Sequence, residues 1–105
     1  MDSQMKKGRV EVCILSRLSR GDSYGYQLIK DIEPIMNLSE STLYPVLRRL
    51  EAAGSLTVYS VEHNSRLRKY YAITAEGRQR IADFLAEWSD VKRVYDFIAE
   101  VNVSA

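Results

Sequence analysis

The segment Ser39–Gly54 constrains the fold most strongly, because its residues predict a short helix with two chemically different faces. An apolar stripe recurs along it at helical spacing and consists of Leu43, Val46, Leu47 and Leu50. The residues off this stripe are Ser41, Tyr44, Pro45, Arg48 and Arg49. A buried stripe behind a small cationic face is what a helix needs to enter a DNA major groove. An ordinary amphipathic helix with a solvated outer face fits the same pattern, so this segment alone does not decide between the two.

Both ends of this predicted helix carry terminating signals. Ser39 or Ser41 can cap its start. Pro45 is expected near the start, where its missing N–H would have had no partner within the helix. Gly54 fits the left-handed residue that follows a last helical turn.

The length of 105 residues indicates one domain with a modest core. Hydrophobic content of 46% and charged content of 28% exclude a disordered chain. No apolar run approaches the roughly 20 residues of a membrane span, and no signal peptide is visible before Gly8. Cys13 is the single cysteine, which excludes an internal disulfide and favours a reducing compartment. The expected location is the cytoplasm, with no membrane partner.

Charge is distributed unevenly, although the net charge is only +1. Residues 41–73 carry five cations against two anions, a balance of +3. Residues 74–105 carry four cations against six anions, a balance of −2. The pattern predicts one cationic segment followed by an acidic helix.

Two further helices are expected before Ser39. Residues from about Lys6 to Leu18 show a wide apolar band, and Gly21 ends that helix. Ser23 is expected to cap a second helix that runs from about Tyr24 to Ile32. This helix and the Ser39–Gly54 helix are two short helices in succession, and the latter has a polar outer face. Together they predict a helix-turn-helix.

A β-hairpin is expected after Gly54. Residues 56–61 alternate and are rich in β-branched and aromatic side chains, and residues 69–73 form the predicted partner strand. The intervening polar loop, residues 62–68, has Asn64-Ser65 as its expected tip. A hairpin directly after a helix-turn-helix is a wing. Its predicted tip carries Arg66 and Arg68, with Lys69 at the base of the second strand, and these cations suit contact with phosphate.

The last predicted helix is capped by Thr74 and runs to about Glu100, roughly 40 Å at 1.5 Å per residue. A long apolar stripe runs along this helix at helical spacing and consists of Ile81, Phe84, Leu85, Trp88, Val91, Tyr95 and Ile98. The compact part of a small domain cannot cover a stripe of this length. A second copy of the chain is the simplest partner.

These motifs together resemble the PadR family of bacterial transcriptional regulators, specifically its short members with a single C-terminal helix. The resemblance covers nearly all of residues 6–98. It rests on Leu15 to Leu18 followed by Gly21, Tyr24-Gly-Tyr26, Ser41-Thr-Leu-Tyr-Pro45, Arg49-Leu-Glu51, Gly54, Arg68-Lys-Tyr-Tyr71, Thr74 and Gly77. It implies a mostly α, α+β fold: a winged helix-turn-helix in residues 1–73 and a dimerisation helix in residues 74–105. It also implies a homodimer that represses transcription by binding double-stranded DNA at a palindromic operator.

The resemblance further implies a small planar aromatic effector, bound in a pore at the dimer interface and stacked on a tryptophan. The matching positions are Trp88, Val12, Leu15, Ser16, Val91 and Lys92. Lys92 departs from the acidic residue expected in a pore that selects cationic compounds. A tryptophan in a dimer seam is also commonly a packing residue, so both interpretations of Trp88 stay open.

The predicted DNA-binding residues are Ser41, Thr42, Tyr44, Pro45, Arg48, Arg49, Arg66, Arg68 and Lys69. Arg48 is the best candidate for a guanine edge, because a guanidinium can bind O6 and N7 together. Tyr44 is expected either to contact a phosphate or to pack against the strand. A winged-helix module that binds protein instead of DNA remains the alternative.

Catalytic and metal sites are not expected. The chain has one histidine, His63, and one cysteine, with no zinc-site spacing and no glycine-rich phosphate loop. An enzyme, a resident cofactor and a metal-sensing repressor are therefore all disfavoured.

Overall fold

The computed structural model of the protein describes the backbone of residues 2–104 and the side chains of residues 8–100. Its elements follow the order α1 (Asp2–Leu18), β1 (Ser23–Tyr24), α2 (Gly25–Ile32), α3 (Glu40–Ala52), β2 (Leu56–His63), β3 (Arg66–Ile73) and α4 (Ala75–Ser104). The three strands form one antiparallel sheet in the order β1-β3-β2. The predicted α+β winged-helix fold is confirmed, and α1 begins four residues earlier than the sequence pattern predicts.

The core lies between α1, α2 and α3 and extends under the sheet. Its fully buried side chains are Ile14, Leu15, Leu18, Leu28, Leu43, Leu47, Leu50 and Leu56. The predicted apolar stripe of α3 is buried along its whole length. Burying a leucine or isoleucine side chain is worth about 1.5–3 kcal/mol, so this cluster holds the three helices in a defined arrangement.

The residues that end α3 are the predicted ones, but Pro45 lies further from the start of the helix than expected. Ser39 is the N-cap, and its hydroxyl accepts a hydrogen bond from the Thr42 amide at 3.3 Å. Gly54 has the left-handed backbone conformation, with φ of +79°. Pro45 lies in the second turn and not in the first, because the helix already begins at Glu40. Pro45 therefore leaves the carbonyl of Ser41 without its usual i+4 donor, and water can reach that exposed residue.

The prediction that Ser23 caps the second helix is wrong. Ser23 is buried in β1 and pairs with Tyr71 of β3, so it adds a third strand to the sheet. Tyr24 occupies the N-cap position of α2, with no side-chain hydrogen bond to the helix. The serine was a local capping signal, but its pairing with a strand 48 residues later decided its conformation.

The wing is tighter than the predicted seven-residue loop. β2 and β3 pair continuously from Leu56↔Ile73 to His63↔Arg66. Only Asn64 and Ser65 form the turn, and both have positive φ, 51° and 63°. Two such residues form the turn whose twist matches a hairpin, so the ladder extends almost to the tip. The expected tip is confirmed, but the flanking cations lie in strands.

Among the described side chains, helix α4 joins the core near its start, where Ile81 packs against the buried cluster. Thr74 caps it: its hydroxyl accepts from the Gly77 amide at 3.1 Å and donates to the Gly54 carbonyl at 2.6 Å. A Cβ at Gly77 would lie 2.7 Å from Ile73 Cγ1 and closer still to the carbonyl of Ser55. The helix then runs past the core, and the molecule is 65 Å long but only about 25 Å across. Within the described residues, none of the helices combines the length and the apolar character that crossing a membrane requires.

Candidate nucleic-acid interface

A cluster of three hydroxyl groups lies at the start of α3. The Ser39 hydroxyl is 2.9 Å from the Ser41 hydroxyl and 3.1 Å from that of Thr42. All three residues are exposed, and the helix N-terminus adds partial positive charge. Small donors at an exposed helix N-terminus suit contact with phosphate oxygens or base edges.

Tyr44 packs against the start of α2, which the sequence pattern did not identify as its partner. A Cβ on Gly25 would lie 2.5 Å from the Tyr44 hydroxyl oxygen and 3.0 Å from its ring carbon Cζ. Gly25 therefore leaves room for the phenol, and this contact fixes the spacing between α2 and α3. Tyr44 still exposes 36% of its surface, so the same side chain reaches solvent. Pro45 beside it is half-buried.

A groove of about 540 Å³ lies between the helix-turn-helix and the wing. Its lining residues are Tyr24, Gly25, Tyr26, Tyr44, Arg68, Lys69 and Tyr71. Tyr26 exposes 60% of its surface, and Lys30 places its ammonium 5.4 Å from the centre of that ring. The sequence interpretation missed both residues because α2 was treated only as a support. Their i,i+4 spacing was the available signal that they share a face.

Arg48 and Arg49 point to different neighbours. Burial raises the pKa of the Tyr71 phenol, and the neighbouring Tyr44 and Glu51 raise it further. The charge of Arg48, which also lies near this phenol, acts in the opposite direction and lowers the pKa. Arg48 is exposed and belongs to the side of α3 that adjoins the groove. Arg49 instead turns toward α1, with its Nε 3.7 Å from Glu11. Arg49 thus has an acidic partner within the protein but stays partly exposed, so its predicted DNA contact remains a prediction.

The cations of β3 are also separated. Arg68 lies 4.1 Å above the ring of Tyr24 and is half-buried, so the prediction that it stands at the wing tip is wrong. Lys69 is exposed and points to the opposite face of the sheet, as strand alternation requires. Arg66 is exposed and adjoins the turn. Lys69 and Arg66 are thus the wing cations that solvent reaches most freely.

A row of three tyrosines covers the outer face of the sheet. Tyr24, Tyr70 and Tyr59 lie side by side across the three strands, with ring centres 5.5 and 5.7 Å apart. The Tyr59 hydroxyl donates to the carboxylate of Asp22 at 2.6 Å, which raises the pKa of that phenol. The row joins the loop before β1 to the wing and gives Arg68 a fixed aromatic surface to lie on.

The residues predicted to bind an effector are only partly brought together. Val12, Ser16 and Trp88 line a cleft of about 560 Å³ between α1, the end of α2 and α4. Leu15 is fully buried in the core, so it cannot contact a molecule in that cleft. Val91 and Lys92 are exposed beyond it, and Lys92 pairs with Asp96 at 2.8 Å.

The far part of α4 presents large apolar side chains to solvent. The residues concerned are Leu85, Trp88, Val91, Val94, Tyr95, Phe97 and Ile98, which expose between 44% and 69% of their surfaces. A contiguous exposed apolar face of this kind marks an interaction site. Within the described residues, no three histidine, cysteine or acidic side chains are grouped to hold a metal ion.

Comparison with known proteins agrees with this geometry. The family model described as "Transcriptional regulator PadR-like family" matches residues 14–83. An uncharacterized protein of Lysinibacillus sphaericus is 31% identical over 103 residues, which are 93% of this chain and 94% of that protein. The structure of a PadR-like transcription factor from Bacteroides fragilis is similar with a TM-score of 0.83 and 33% identity, over 93% of this chain and 97% of that one.

A third relative was solved with nucleic acid. The crystal structure of Bacillus subtilis PadR in complex with operator DNA has a TM-score of 0.66 and 25% identity to this chain. The similarity covers 72% of this chain and 46% of that one. With its family-model match over residues 14–83 and its winged-helix fold, the chain belongs to the PadR-like family of transcriptional regulators.

Proposed function

We propose that the protein is a repressor that binds a palindromic operator as a homodimer. Residues 1–73 act as the DNA-binding part, and residues 74–105 as the dimerisation helix. The observation that carries the proposal is the convergence of α3, α2 and the wing on one groove, with exposed cations around it. The operator complex of Bacillus subtilis PadR supports the choice of DNA as the partner.

The groove and the exposed residues around it offer several kinds of contact to DNA. Arg48 reads a base edge, because it is an exposed guanidinium on α3, four residues after Tyr44 and on the same side of the helix. Lys69 and Arg66 bind phosphates next to the major groove, and Lys30 with Tyr26 binds the backbone on the other side of α3. Ser41, Thr42 and Tyr44 orient the helix through their hydroxyl groups.

The homodimer is supported by the exposed apolar face of α4. A second copy can cover this face and the cleft beside Trp88 in the same contact. Two-fold symmetry then places the two α3 helices in successive major grooves, so half-sites are expected about 34 Å apart or at a multiple of that distance.

An effector is proposed for the cleft beside Trp88. A flat aromatic compound would stack on the indole against Val12 and Ser16. The compound would release DNA only if it bound more tightly to a dimer whose two α3 helices do not fit the operator. Trp88 fluorescence measured with a panel of planar aromatic compounds tests this, and no quenching by any of them would favour a packing role for Trp88.

DNA binding is tested by titrating the full chain with DNA from upstream of its own gene at several salt concentrations. The wild type should bind specifically and more weakly as salt rises. Arg48→Ala should weaken specific binding by about 1–3 kcal/mol, and Lys69→Gln should reduce the salt slope by about one. Arg93→Ala, which removes a cation from the far part of α4, is the matched control and should change neither. No binding by the wild type at low salt would instead favour a protein-binding module.

A further inference from the structure

Glu11 is a nearly buried carboxylate at the junction of three helices, and the proposed DNA contacts do not use it. It lies on α1, and its side chain exposes only 9% of its surface. Arg49 of α3 and Arg80 of α4 both form ion pairs with it. The Glu11 carboxylate thus connects α1 with α3 and with the start of α4.

The position of Glu11 complements a second attachment between α3 and α4. At the end of α3 the Ser55 amide donates to the Leu50 carbonyl at 2.8 Å, and the Thr74 amide donates to the Ser55 carbonyl at 3.1 Å. Backbone hydrogen bonds therefore tie the end of α3 to the start of α4. These hydrogen bonds and the ion pair between Arg49 and Glu11 both act at the carboxyl-terminal end of α3, where they add to the packing of its buried stripe.

We infer that Glu11 is a positioning residue for operator binding: it holds α3 at a set angle to α1 and α4 through Arg49 and Arg80. The inference rests on the proposed function, because the angle matters only if two α3 helices must fit one operator. A small rotation of α3 within each subunit changes the spacing of the two helices across a symmetric dimer. Glu11 would therefore control DNA affinity without touching DNA.

The charge balance makes this testable. With Glu11 present, two guanidiniums share one carboxylate. Glu11→Gln leaves two cations at a site that has lost its anion, and they repel each other across the α3–α4 junction. A second change, Arg80→Gln, removes one of these cations and so relieves the repulsion, but it restores neither ion pair.

The loss of one negative charge, taken alone, predicts the opposite change in operator affinity. Removing one negative charge from a DNA-binding protein should strengthen its attraction to phosphate. Asp90→Asn is the matched control, because it removes the same charge from an exposed position on α4 where Arg93 is the partner. Positioning by Glu11 predicts weaker operator binding, and a simple charge effect predicts binding equal to or tighter than the wild type.

The experiment measures operator affinity of the full chain by fluorescence anisotropy, with circular dichroism confirming that each variant is folded. Glu11→Gln should bind about tenfold more weakly, a change that corresponds to 1.4 kcal/mol. Asp90→Asn should stay within about twofold of the wild type, and Glu11→Gln with Arg80→Gln should still bind more weakly than the wild type, because both ion pairs are absent. If Glu11→Gln binds as tightly as Asp90→Asn, or if the double variant binds as tightly as the wild type, the inference is wrong.

Arg49→Gln provides an independent test that stands even if Glu11→Gln does not fold. It leaves Glu11 paired with Arg80. A lower affinity with an unchanged salt slope supports positioning, whereas a slope reduced by about one means that Arg49 contacts phosphate itself and overturns it. Unchanged affinity also overturns it. Failure of the proposed function looks different, because the wild type itself would then show no specific, salt-sensitive binding.

Discussion

Gly77 offers a sharp test of how α4 is joined to the core. An alanine Cβ there would lie 2.7 Å from Ile73 Cγ1, whereas carbon atoms in contact are normally about 3.5–4.0 Å apart. The same Cβ would come closer still to the Ser55 carbonyl. That carbonyl accepts from the Thr74 amide, and the Thr74 hydroxyl binds the Gly54 carbonyl, so the backbone cannot yield without losing hydrogen bonds.

The expected cost of Gly77→Ala combines two terms of opposite sign. Overpacking a close contact costs about 1–3 kcal/mol, and the rigid backbone places this site at the upper end. Alanine returns up to about 1 kcal/mol through its higher helix propensity. The free energy of unfolding should therefore fall by about 2 kcal/mol, which lowers the melting temperature by roughly 10 °C in a domain of this size.

The assay is thermal unfolding followed by circular dichroism at one fixed protein concentration, since a dimer melts at a concentration-dependent temperature. Gly8→Ala is the matched control: it lies within α1, and among the described residues a Cβ there meets no atom within 4 Å apart from its chain neighbours and its own helix backbone. That variant should be stabilised by about 0.5–1 kcal/mol. If Gly77→Ala melts at or above the temperature of Gly8→Ala, the close approach of α4 to Ser55 is not a structural requirement.

Three further changes test other parts of the molecule. Ser65→Gly should raise the free energy of unfolding by about 1 kcal/mol in urea denaturation, because glycine adopts the positive φ of 63° without strain; an unchanged midpoint would contradict the turn conformation. Hydrogen bonds from Arg17 and then Gln27 lower the pKa of Asp31 below its ordinary 3.8. The stabilisation from this depressed pKa is present above pH 3.8 and is lost as pH falls through the folded-state value, so Asp31→Asn should flatten the decline in stability at acid pH. An equally steep acid decline in that variant would exclude Asp31 as a contributor. Gly25→Ala should lower the midpoint of urea denaturation through displacement of the tyrosine it faces, and adding Tyr44→Phe should reduce the loss, because it removes the oxygen 2.5 Å from the new Cβ; equal midpoints in the two variants would contradict this close contact.

The elements with strong local signals were predicted well. The stripe of α3 is buried, Ser39 and Thr74 cap helices, and Gly54 has the expected left-handed conformation. Each of these properties depends on residues within one or two turns. Asn64-Ser65 was likewise placed at the tip, although the turn proved to be only two residues long.

The candidate site was predicted less completely because its contacts join distant segments. Tyr26 and Lys30 were missed, since their importance depends on a groove that forms only when the wing folds beside α2. Arg68 was placed at the tip, whereas the ring of Tyr24 holds it in the strand. Leu15 was assigned to an effector site, but the wide apolar band of α1 does not reveal which of its residues faces the core.

The sequence by itself determined that Ser39–Gly54 forms a two-faced helix followed by a wing and a long apolar helix, because helical and strand periodicity are local properties. Which guanidinium of α3 has an acidic partner depends on how the helices pack together. Arg48 and Arg49 are adjacent in sequence and chemically identical, yet one adjoins the groove and the other pairs with Glu11. The difference arises because α1 and α4 place a nearly buried carboxylate behind α3, and periodicity cannot specify the partner of a side chain that lies 38 residues away.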